Sequence, residues 1–118
     1  WMKKELLNIE IKITEEIDRL IASVKYDTEF YSNHIHKQKH PDYIKLVEMG
    51  DKIITYLIKQ ANHYGWSWLT IDLLYDITKE NVIAKENAGK FSLIVADWLN
   101  WFNNSKYSKT DVYYGLID

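Results

Sequence analysis

Residues 40–78 read HPDYIKLVEMGDKIITYLIKQANHYGWSWLTIDLLYDIT, and this stretch decides the fold. Pro41 suits the first position of a helix, where its missing N–H would have no intrahelical partner anyway. Tyr43, Ile44, Leu46 and Val47 then form an apolar face over residues 41–49, and Gly50 is placed to stop the helix. Asp51 is expected to cap the next helix, whose face is Ile53, Ile54, Leu57, Ile58 and Ala61, with Gly65 at its end. With almost no linker between them, these two helices must form a hairpin or a sharp corner. Ser67 is the expected cap of a third helix with the stripe Trp68, Leu69, Ile71, Leu74, Tyr75 and Ile77.

The reading extends outward in both directions. Residues 79–89 form a polar connection ending in Asn87-Ala88-Gly89. Phe91, Ile94, Val95, Trp98, Trp101 and Phe102 then mark a helix over about 90–103. Upstream, Leu6, Ile9, Ile13, Ile17, Leu20 and Val24 recur in steps of three or four and predict a long helix over 1–26. Leu7, Ile11 and Ile21 widen its stripe. Residues 33–39 show no period and are expected to be a loop. The tail, 105–118, carries Val112, Tyr113, Tyr114, Leu116 and Ile117, enough apolar surface to dock as a short helix or strand. The expectation is one all-α domain, 1–118, of about five helices. Two helix pairs within 40–104 would form a short HEAT-like solenoid, with the long N-terminal helix packed across it.

The stretch from His40 to Phe102 resembles a family of small bacterial helical proteins without known catalytic residues. The similarity rests on His40-Pro41-Asp42-Tyr43, Leu46, Met49-Gly50, Ile53-Ile54 with Leu57-Ile58, Trp66-Ser67-Trp68, Ile77-Thr78, Gly89 and Trp98-Leu99-Asn100-Trp101. The resemblance implies a HEAT-like helical domain and genomic company with toxin–antitoxin or phage-defence genes. This chain lacks the prolines that many members carry around 79–88.

Composition narrows the function classes. Hydrophobic residues make up 47% of the 118 residues, with one Pro and no Cys. A disordered chain, a disulfide scaffold and a thiolate metal site are therefore excluded. The net charge of -2 is evenly spread, and of 15 cations only Arg19 is an arginine. Nucleic-acid binders favour a basic field and the bidentate fork of Arg, so these values argue against that class. No apolar run is long enough to span a bilayer. Glu5 and Glu10 interrupt the segment after Lys3 and Lys4, so no signal peptide is read and a cytoplasmic site of action is expected.

Few constellations carry chemistry. His34, His36 and His40 have a spacing that can hold a transition metal, with a carboxylate completing a hydrolase or nuclease centre. Lys37 and Lys39 lie inside that cluster and oppose a cation. Among the carboxylates, Glu15/Glu16, Glu48/Asp51 and Asp72/Asp76 are close in sequence. The last pair is spaced to share a proton or a cation on one helix face. The glycines are too far apart to cradle phosphate.

The excess is in aromatics, with five Trp and nine Tyr. Trp68, Trp98 and Trp101 are expected in the core. Trp66, Tyr113 and Tyr114, with Trp101 as a further candidate, are expected at a protein interface. The reading is a non-catalytic protein–protein interaction module with a heteromeric or homodimeric partner and no cofactor. Single-strand nucleic-acid binding through exposed Trp is a third alternative.

Overall fold

The computed structural model describes residues 2–29 and 34–109, except for the side chains at 2–7, 10, 29 and 34–36. The described residues are all-helical, without strands. The six α-helices are α1 (Met2–Glu29), α2 (His34–Lys39), α3 (Pro41–Met49), α4 (Ile54–Tyr64), α5 (Trp68–Thr78) and α6 (Phe91–Asn103). Three 3-10 turns, Gly50–Ile53, Lys85–Asn87 and Lys106–Lys109, lie between and after them.

Most of the capping logic holds. His40 is extended, and its side chain accepts a hydrogen bond from Asp42 N, with Pro41 opening α3. Gly50 stops α3 at φ 74°, a left-handed value that favours glycine. Ser67 caps α5 by accepting from Thr70 N at 3.4 Å. Asp51 does not cap α4. The chain runs through a 3-10 turn first, so α4 begins at Ile54, and Asp51 instead accepts from the Tyr107 hydroxyl at 3.2 Å. Residues 34–39 are helical where a loop was expected. A helix so short has little intrinsic stability; α2 is held by the buried Lys37, which reaches Asp72 on α5.

α1 packs against α2 and α3, α3 and α4 both pack on α5, and α6 is flanked by the second and third 3-10 turns. The core is continuous: Ile17, Leu20 and Val24 of α1 meet Tyr43, Leu46, Leu57, Ile58, Leu73 and Leu74. On α6, Ile94, Trp98 and Phe102, each four residues apart, face inward. The tail begins with buried Tyr107, whose carbonyl accepts from Thr55 Oγ1 at 3.2 Å. Polar bonds fix the helix angles. Ser23 of α1 donates to Asp42 of α3 at 2.6 Å, and Tyr56 of α4 donates to Asp18 of α1 at 2.7 Å.

Candidate interaction surface

The residues with chemical potential are largely committed to holding helices together. The Asp72/Asp76 pair does lie on one face of α5, but the two carboxylates share nothing. Asp72 takes the ammonium of Lys37, and Asp76 takes the hydroxyl of Tyr43. Burial, reinforced by the Asp76 bond, drives the Tyr43 hydroxyl far above its ordinary pKa and keeps it protonated. Glu16 pairs with exposed Arg19 at 2.7 Å, and its neighbour Glu15 is exposed. Glu48 is exposed on α3, while Asp51 is bound to Tyr107. Asp97 on α6 accepts from Asn87 Nδ2 and from Ala84 N, both at 2.9 Å, and so straps the 79–90 connection to α6. Those bonds hold its carboxyl below the usual carboxylate range.

The histidine cluster has the same character at the one ring that is described. His40 Nδ1 accepts from Asp42 N at 3.0 Å, so when the ring is neutral Nε2 carries the proton. That Nε2 lies 2.5 Å from Asp27 Oδ2 on α1. Both nitrogens of His40 are therefore occupied. His34 and His36 fall on α2, and their side chains lie outside the described residues. Among the described residues no group of three His, Asp or Glu could hold a metal ion.

A polar cleft of about 580 Å³ runs beside the C-terminal half of α6, between Glu80, Asp97, Asn100, Trp101 and Asn104. Trp101 forms its wall. The indole is half-buried and donates to Glu80 at 2.7 Å, with its ring 5.4 Å from that of buried Trp98. Trp66 is likewise half-buried and donates to Asn62 at 2.8 Å. Both interface candidates are thus pinned at the edge of the core. Tyr113 and Tyr114 lie outside the described residues.

The open aromatic surface is elsewhere, on α5. Trp68, expected in the core, is 43% exposed. It is the first residue of its helix, and the inward face belongs to Leu69, Leu73 and Leu74. Its ring leans on half-buried Phe91 at 5.0 Å. Tyr75, two turns on along the same helix face, is 51% exposed. Leu93 next to the start of α6 and Tyr64 at the end of α4 are also exposed. Sequence periodicity missed this face because Trp68 and Tyr75 fit the apolar stripe as well as any core residue. Only the direction of approach of α3 and α4 decides which edge of the stripe is covered.

No helix among the described residues is long and apolar enough to cross a membrane. No family model, curated protein or solved structure matches the chain.

Proposed function

We propose that this protein is a non-catalytic helical module that binds a protein partner in the cytoplasm through the α5 face. One observation carries the reading: Trp68 and Tyr75 stand open on one side of α5, while Asp72, Asp76 and His40 are spent in internal bonds. Trp and Tyr bring large contact area with little entropy to lose, which is why they concentrate binding energy at interfaces. On this reading α3/α4 and α5/α6 act as a short HEAT-like stack that presents its last pair to the partner. The resemblance adds an accessory role beside toxin–antitoxin or defence genes. The metal-dependent hydrolase has less support, because the ring of His40 is already engaged on both sides. Binding of single strands has one exposed indole to work with among the described residues, that of Trp68.

The test is co-purification with the product of the adjacent gene, read as molar mass by light scattering. A stable complex that Trp68→Ala with Tyr75→Ala abolishes, at unchanged melting temperature, supports the proposal. No complex, or a complex indifferent to both substitutions, overturns it.

A further inference from the structure

Both α5 and α6 end at the polar cleft beside Trp101. α5 stops at Thr78, just before Glu80, and α6 stops at Asn103, next to Asn104. The last carbonyls of a helix carry partial negative charge, so two helices bring the same sign to one place. Side chains add to it. Asp97, Asn100, Trp101 and Asn104, spaced by three and four, line the cleft as one stripe of α6 and its cap, joined by Glu80 and Asn81 from the connection after α5. The internal bonds leave acceptors to spare. Glu80 gives Oε2 to the indole of Trp101, and Asp97 gives Oδ2 to Asn87 and to Ala84 N. Their other oxygens, Glu80 Oε1 and Asp97 Oδ1, make no hydrogen bond among the described residues, and neither does the amide of Asn81. Asn104 spends its Nδ2 on the Asn100 carbonyl at 2.8 Å, which leaves its Oδ1 as a further acceptor.

The indole is held in place before any ligand arrives. Glu80 fixes its Nε1, Trp98 packs edge-on at 5.4 Å, and the Tyr107 ring lies 6.0 Å away at 32°. Trp101 also lines a second cleft, the one that holds Tyr107, and there the chain supplies a cation of its own: the Lys106 ammonium lies 5.4 Å from the Tyr107 ring. The cleft along α6 has no Lys, Arg or His among its described lining residues. We propose that this cleft binds a guanidinium group, stacked on the Trp101 indole with its N–H fork turned to Glu80 and Asp97. A guanidinium is a planar, weakly hydrated cation with five donors and no acceptor, which matches a wall of acceptors beside an aromatic plane. An ammonium is a compact point charge with no plane to stack. An anion meets two carboxylates and two helix ends of its own sign, and a neutral polyol leaves both carboxylates without a counter-charge. The group can arrive on a free molecule or as an arginine side chain of a polypeptide. Trp68 stands at the opposite end of α5 from the cleft, so this proposal and the α5 interface can fail separately.

The experiment is a titration of the isotope-labelled full chain at fixed ionic strength, followed by NMR at the Trp101 indole N–H and the side-chain amides of Asn81 and Asn100. The probes are agmatine and N-acetyl-arginine amide. Saturable shifts centred on these groups are expected. The uncharged isostere N-acetyl-citrulline amide, N-acetyl-lysine amide and methyl glucoside should each bind at least about tenfold more weakly. Glu80→Gln keeps an oxygen for the indole N–H and removes the charge, and should also lose about tenfold. Asn81→Lys places a cation in the lining at an exposed residue without internal bonds, so it should abolish binding at unchanged melting temperature. Tighter binding of agmatine would assign the site to a free guanidine, and tighter binding of the capped arginine to a polypeptide side chain. No saturable shift overturns the proposal. So does an equal response to the citrulline amide or the glucoside, or binding that ignores both substitutions.

Discussion

The ammonium of Lys37, in the six-residue helix α2, is buried against the carboxylate of Asp72 on α5. This contact joins a segment with no hydrophobic period to the helix at the centre of the fold. It also converts one member of a carboxylate pair from a potential cation site into a counter-ion.

Removing the two partners should not be equivalent. Asp72→Ala leaves a buried ammonium without its charge partner and should destabilise by about 3 kcal/mol. Lys37→Met keeps the stem and removes the charge, leaving half-exposed Asp72 to water, so its effect should be smaller. Urea unfolding of both variants measures the asymmetry; equal losses would mean that the ion pair contributes only packing.

Tyr43 is buried to 2% exposure and donates to Asp76. Tyr43→Phe should cost about 1–3 kcal/mol, because it strips the donor from a half-buried carboxylate. The raised hydroxyl pKa adds a pH signature. A group whose folded pKa lies above its unfolded value contributes stability that is present below the unfolded value, here 10.0, and is lost as pH rises beyond it. The wild type should therefore weaken above pH 10 more steeply than Tyr43→Phe, as read by thermal melts along that limb.

In acid the sign reverses. Ser23 donates to Asp42, and Asn87 with Ala84 N donates to Asp97, and each carboxyl is held below its ordinary value of 3.8. Folded carboxylates with lowered pKa stabilise at pH well above 3.8, and that stability fades as pH falls through 3.8 toward the folded values. Asp97→Asn should flatten part of this acid limb. Hydrogen exchange should also quicken across 79–90 in that variant, since the strap to Ala84 N is weakened.

His40 caps α3 through Nδ1 and reaches Asp27 through Nε2. Loss of a cap of this kind usually costs about 1 kcal/mol, and His40→Ala should fall near that value. Zinc should not raise the melting temperature of the wild type, and chelator should not lower it, because binding metal at His40 means breaking both bonds. A zinc-dependent increase that His40→Ala removes would reinstate a metal centre.

The sequence by itself determined the helices that carry a strong signal. Pro41, Gly50, Gly65 and Ser67 act through local backbone geometry and orphan N–H groups, which need no tertiary partner to be read. The long stripe of α1 and the Ile94, Trp98 and Phe102 face of α6 were legible for the same reason: a repeat of three and four is a property of one helix. What lay beyond reach depended on which neighbour arrives. Lys37 looks like a solvated loop residue until α5 brings Asp72 to it. Asp51 looks like a cap until Tyr107, 56 residues away, claims its carboxylate. Trp68 and Trp98 have the same side chain and the same helical spacing, yet one is 43% exposed and the other 0%. Periodicity fixes the axis of an apolar stripe, but only packing decides which edge of it is covered, and on α5 the edge left uncovered is the one that carries Trp68 and Tyr75.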